Sequence, residues 1–143
     1  LNQILREVHE FFKANNSKLD LRLSLESVDA FIVNTDRIKL NQILTNLMGN
    51  AIKFTREGYI ELGYIKGVSI YTIYVKDTGI GIPEDKLESI FERFVQAHTI
   101  ENEFEGTGLG LSISKLFTEI LGGKIWVKSK LGEGSTFYIS LPI

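Results

Sequence analysis

The chain has no cysteine, only two histidines, and no apolar run approaching the roughly 20 residues that a membrane-spanning helix needs. Without cysteine there is no disulfide framework, no thiolate zinc site and no cysteine nucleophile. An excess of one charge is also lacking: 16 basic against 18 acidic side chains leave a net charge of −2. That balance excludes a protein that works by neutralising nucleic-acid phosphates over a broad basic face. There is no signal-peptide pattern, no internal repeat, no low-complexity tract and no G-x-x-x-x-G-K-[ST] phosphate loop. What remains is 143 residues, 43% apolar and 24% charged, the composition of one globular domain with a real core. A cytosolic compartment fits. The chain opens on Leu1 rather than an initiator, as a piece of a longer protein would.

Apolar residues at Leu1, Ile4, Leu5, Val8, Phe11 and Phe12 predict a first helix, which Asn15, Asn16 and Ser17 interrupt. Alternation of Leu19, Leu21, Leu23 and Leu25 predicts a strand, and residues 30–33 read as a second short one. Asp36 is placed to cap a helix whose apolar stripe is Leu40, Ile43, Leu44, Leu47, Met48, Ala51 and Ile52, ending near Thr55. Residues 59–65 and 68–76 predict an antiparallel hairpin turning at Lys66 and Gly67. A glycine loop follows, then a short helix entered at Pro83 and running to about Phe91. A last helix is expected from about Gly110, with Leu109, Ile113, Leu116, Phe117, Ile120 and Leu121 on its core face and Gly122 and Gly123 as its stop. Two closing strands, 124–128 and 135–141, complete the pattern. The sum is an α/β (α+β) two-layer sandwich: a mixed sheet of about five strands with three helices on one face.

Three local features suit a nucleotide. Asn46, Asn50 and Lys53 stand at i, i+4 and i+7 on the helix after Asp36, within about 60° of one another along one edge of its apolar stripe. Carboxamide oxygens suit a hard cation and an ammonium suits phosphate; the bland alternative is a solvated polar flank. Asp77 leads into Gly79 and Gly81 directly off a strand. An aspartate there can accept a hydrogen bond from an exocyclic amine, and the glycines allow close approach to the backbone, although an ordinary tight turn has the same composition. Gly106, Thr107, Gly108, Leu109 and Gly110 run into a helix N-terminus, where free N–H groups favour phosphate; a ligand-free glycine hinge is the alternative.

The stretch 46–55 resembles the N box of sensor histidine kinases, and Asp77-Thr78-Gly79-Ile80-Gly81-Ile82 is similar to their first glycine box. Ile90-Phe91-Glu92-Arg93-Phe94 resembles the F box, Gly106 to Leu111 the second glycine box, and residues 132–137 the glycine motif before the last strand. The five motifs occur in the family's order and cover about residues 36–143. The resemblance implies the catalytic, ATP-binding domain of a two-component sensor kinase, in the superfamily of gyrase, the Hsp90 chaperones and MutL. By it, Asn50 would hold magnesium with Asn46 nearby, and Lys53 would meet the phosphates. Phe54 would lie against adenine and Asp77 would bond its amino group, with Gly79, Gly81 and Ile82 shaping the base pocket and Thr136 behind Asp77. Phe94 and the run Gly106, Thr107, Gly108, Leu109, Gly110 and Leu111 would complete the nucleotide site, with residues 95–105 as a mobile lid. Two departures stand out: no lysine or arginine lies between Arg93 and Lys115, and Glu105 occupies a position where glycine is common.

The implied activity is transfer of the γ-phosphate of Mg-ATP to a histidine on a separate dimerisation domain, with a response-regulator receiver domain downstream. Neither histidine here fits as the acceptor: His9 is followed by Glu10, Phe11, Phe12 and Lys13, and His98 falls in the lid. Residues 1–14 are then expected to be the end of a helix of that separate domain, and 18–143 the catalytic domain. No nucleic-acid partner and no direct membrane contact are expected; the domain would be cytoplasmic, whatever anchors its parent. Two other readings compete. A hydrolase of the gyrase or MutL kind carries a glutamate base where this chain has Asn46, and a degenerate module would signal by docking alone.

Overall fold

Asp36 sets the start of an 18-residue helix, α2 (Arg37–Phe54). Its Oδ1 accepts hydrogen bonds from the N–H groups of Ile38 and Lys39, both at 3.0 Å, and so satisfies donors that a first turn leaves open. The helix buries Leu40, Ile43, Leu44, Leu47, Met48 and Ala51, the stripe expected from their spacing. These features come from a computed structural model that describes residues 1–92 and 109–143.

The remaining elements are α1 (Asn2–Asn15), β1 (Asp20–Ser24), β2 (Tyr59–Lys66), β3 (Ile70–Asp77), α3 (Gly110–Ile120), β4 (Lys124–Lys130) and β5 (Gly134–Pro142). The five strands form one sheet in the order β1-β2-β3-β5-β4. β1 runs parallel to β2 and the other neighbours are antiparallel, so the sheet is mixed. Period-two alternation sends Ile60, Leu62 and Tyr64, then Tyr71, Ile73 and Val75, then Phe137, Ile139 and Leu141 to one buried face. The three helices cover that face and leave the other open. α3 ends in a Schellman turn: Gly122 is at φ +81°, its N–H donates to Glu119, and the N–H of Gly123 donates to Thr118.

Three expectations need correction. Residues 30–33 form no strand. Phe31 instead plugs the core, stacked on Tyr64 at 5.5 Å and edge-on to Tyr71 at 5.8 Å. The short helix after Pro83 is two 3-10 turns, Glu84–Lys86 and Ser89–Phe91. On α3 the fully buried side chains are Ser114 and Thr118, while Leu116 and Ile120 are more than half exposed. Ser114 and Thr118 each donate to a carbonyl one turn back, at 2.8 and 2.7 Å, which removes the cost of burying their hydroxyls and lets α3 approach α2 closely.

α1 reaches the same core. Ile4, Leu5, Val8 and Phe12 are core residues, with Leu5 wholly buried. Asn2 Nδ2 donates to the carbonyls of Ser27 and Asp29 at 2.9 and 2.7 Å, and His9 Nε2 lies 2.8 Å from the Leu21 carbonyl. The apolar side of the helix thus packs into the core beneath the sheet. Leu5→Ala should then destabilise the domain by about 2–5 kcal/mol in denaturant unfolding. Stability unchanged by that substitution would make α1 an appendage.

Candidate functional site

Asp77 is the last residue of β3, opposite Ile60 on one side and Ser135 on the other. It is only 7% exposed. Its Oδ1 accepts from the N–H of Gly79 at 2.9 Å and from the N–H of Ser135 at 3.3 Å, while Oδ2 accepts no hydrogen bond among the described residues. Burial pushes this carboxyl above the ordinary aspartate range, and the two backbone donors pull it part of the way back.

The loop after Asp77 is held on both sides. Ile80 donates its N–H to the Phe54 carbonyl at 3.1 Å, Gly132 donates to the Ile80 carbonyl at 2.8 Å, and Ile82 donates to Ser129 Oγ at 2.7 Å. A Cβ on Gly79 would strike the Phe54 carbonyl and lie 2.8 Å from Thr55 Oγ1; one on Gly81, at φ +72°, would strike the Lys130 carbonyl. These glycines let the loop press against its own protein rather than leave a gap for another molecule. Ile82, 9% exposed, packs at the rim of the core.

Asn46 bonds within α2 and across to α3. Its Nδ2 donates to the Gly110 carbonyl at 3.2 Å and to Ser114 Oγ at 3.3 Å, and its Oδ1 accepts from Gln42 at 3.0 Å. It latches α2 to the start of α3. Asn50, one turn on and half-buried, makes no hydrogen bond among the described residues. Lys53 Nζ lies 5.9 Å from the centroid of the half-buried Phe54 ring. Leu109, Gly110 and Leu111 are half-buried at the start of α3.

Thr136 was expected behind Asp77. It pairs with Lys76 on the open face of the sheet, and Ser135 is the residue behind Asp77. Ser135 also reaches Ser129 Oγ at 2.7 Å, and Ser129 donates to the Gly134 carbonyl at 2.9 Å. Strand parity from Phe137 would have found Ser135, since residues two apart share a face. Phe94, Gly106, Thr107, Gly108, His98 and the lid expected at 95–105 lie outside the described residues.

Residues 35–143 match the model of the histidine kinase-, DNA gyrase B-, and HSP90-like ATPase family. The chain belongs to that family, as a catalytic domain homologous to those of sensor histidine kinases. It is 51% identical over 118 residues to the autoinducer 2 sensor kinase/phosphatase LuxQ of Vibrio vulnificus, covering 78% of this chain and 14% of that protein. It is 40% identical to the sensor histidine kinase AruS of Pseudomonas aeruginosa, covering all of this chain and 15% of the relative. The chain thus spans about a seventh of the length of these relatives. Among solved structures, the catalytic domain of histidine kinase ThkA in a nucleotide-free form superposes with a TM-score of 0.85 at 31% identity, covering 99% of this chain and 92% of that one. Full-length ShkA in complex with AMPPNP superposes with a TM-score of 0.85 at 33% identity, covering 98% and 29%. No helix among the described residues is long and apolar enough to cross a membrane.

The Asp77 pKa has a consequence for this histidine kinase domain. Because the folded state raises it, folding binds a proton as the pH falls through the raised value, and stability increases there; above it the buried charge costs stability. Asp77→Asn keeps an oxygen for the Gly79 and Ser135 donors without that charge. It should melt at or above the parent at pH 7, with the difference shrinking as the pH approaches the ordinary carboxylate range. Thermal unfolding over a pH series checks this; a gap independent of pH would show that the charge carries no cost.

Proposed function

We propose that this domain binds Mg-ATP and donates the γ-phosphate to a histidine on a separate helical dimerisation domain, as one step of two-component signalling. The observation that supports it best is the half-committed carboxylate of Asp77. One oxygen is held by two backbone donors, which orients the other as an acceptor for an exocyclic amine, as adenine presents and guanine at that position does not. The carboxamide of Asn50 is a fitting oxygen ligand for magnesium, with the Lys53 ammonium on the same face of α2 for phosphate. Asn50 would hold the magnesium, which would supply positive charge against the charge that develops on the γ-phosphoryl group. The protein's own share is positioning: Asp77 sets the base, Phe54 lies against it, and Asn50 and Lys53 set the phosphates.

Asn46 disfavours a hydrolase of the gyrase or MutL kind. A carboxamide cannot take a proton from water, and its Nδ2 is engaged by Gly110 and Ser114 at the start of α3. The acceptor histidine and a receiver domain are the partners this reading requires, and a cytoplasmic location follows from them.

Calorimetric titration tests the reading. ATP should bind with magnesium and more weakly without it, and GTP should bind poorly. Asp77→Asn should weaken ATP about 10- to 100-fold, the loss of a hydrogen bond to a charged group, and leave GTP little changed. Equal losses for the two nucleotides would remove the role of Asp77, and no binding at millimolar Mg-ATP would overturn the reading. Asn50→Asp should shift the magnesium concentration needed for half-maximal binding; an unaltered requirement would exclude Asn50 as the ligand.

A further inference from the structure

Asp77 stands at one end of a short polar row that crosses three strands on the helix-covered face of the sheet. Ser135 of β5 is directly opposite it, and Ser129 of β4 is directly opposite Ser135. Side chains directly opposite one another on antiparallel neighbours share a face, with Cβ atoms about 5 Å apart. Ser129 is half-buried on the edge strand, whereas Ser135 and Asp77 are buried. Ser129 lies outside all five of the sequence motifs.

The hydroxyl protons of this row follow from the count of donors and acceptors. Ser129 Oγ lies 2.7 Å from the Ile82 nitrogen, 2.9 Å from the Gly134 carbonyl oxygen and 2.7 Å from Ser135 Oγ. The Ile82 N–H can only donate, and the Gly134 carbonyl can only accept. A serine hydroxyl has one proton and two lone pairs. The Ser129 proton therefore goes to Gly134, and one of its lone pairs takes the Ile82 N–H. The second lone pair is left for Ser135, whose hydroxyl donates to Ser129. The Ser135 proton is thus turned toward β4 and away from Asp77. What Ser135 gives the carboxylate is its backbone N–H, at 3.3 Å.

We propose that Ser129 is a positioning residue of the base site: by accepting the Ser135 hydroxyl it keeps that donor off Asp77 and leaves the second carboxylate oxygen to an exocyclic amine. The identity of the amine rests on the ATP reading of the site; the proton arrangement does not. Without Ser129 Oγ, the Ser135 hydroxyl has lost its acceptor while a carboxylate stands directly opposite. Rotation about the Ser135 Cα–Cβ bond to another staggered position brings the two within hydrogen-bond reach. A hydroxyl–carboxylate bond is of the stronger, charge-assisted kind, and it competes with the ligand's amine for the same group. Ser129 also anchors the glycine loop through Ile82, but a loss of anchoring is not undone by removing a second hydroxyl.

That difference supplies the test. Calorimetry on the 143-residue chain compares ATP with purine riboside triphosphate, which lacks the exocyclic amine. In the nucleotide-free domain, Asp77 is titrated through the NMR shift of its carboxyl carbon. Ser129→Ala should reduce the preference for ATP over the analogue about tenfold and lower the Asp77 pKa, because a new donor favours the charged carboxylate. Adding Ser135→Ala should return both readings toward those of the parent. Ser129→Thr, which keeps the hydroxyl, should hold them there, with unfolding temperatures as the check on folding. Readings unmoved by Ser129→Ala, or displaced just as far once Ser135→Ala is added, would overturn the proposal. A titration that follows the expected pattern in a parent with no preference for ATP would uphold the proton arrangement and remove the amine reading of the site.

Discussion

A carboxylate removed from water has to find donors, and at Asp77 they come from two different places in the chain. The N–H of Gly79 belongs to the loop that follows β3, and the N–H of Ser135 belongs to the start of β5. One oxygen atom thereby ties a strand end, a loop and a neighbouring strand together, and the raised pKa records that the tie does not fully repay desolvation. A burial penalty of this kind is tolerated where the group has work to do. The second oxygen faces the site with no competing donor among the described residues, and the nucleotide reading rests on that atom.

The rest of the site depends on how α2 is used. Its apolar stripe anchors it to the sheet, and its polar flank divides into two parts. Asn46 bonds to Gln42, Gly110 and Ser114 and holds α3 in place. Asn50, one turn further, makes no hydrogen bond among the described residues. Two asparagines at helical spacing thus do different things, because only the first faces the packed start of α3. The loop after β3 is stapled from the other side, through the Phe54 carbonyl at the end of α2 and Ser129 on β4. The two ends of the candidate nucleotide site are therefore positioned by one helix and one loop that touch.

Much of the fold was legible in the chain. The Asp36 cap, the stripe of α2, the hairpin of β2 and β3, the glycine stop after α3 and the five-strand mixed sheet all rest on periodicity and capping chemistry that act within a few residues. The misreadings share a cause. Residues 30–33 have strand composition, but Phe31 is drawn inward by Tyr64 and Tyr71. Leu116 and Ile120 look like core residues, yet α3 turns Ser114 and Thr118 inward because small side chains allow the closer approach to α2.

By itself, then, the sequence determined the elements, their order and the motifs that mark a histidine kinase catalytic domain, since these depend on residue type and local spacing. Tertiary structure alone decided that Ser135 stands opposite Asp77, that Asn46 joins α2 to α3, and that aromatic and lysine rows line the uncovered face. Each of those outcomes depends on cross-strand register or on which helix side meets a neighbour. A shift of one residue in register moves a side chain to the opposite face of the sheet, and no local pattern in the chain specifies it.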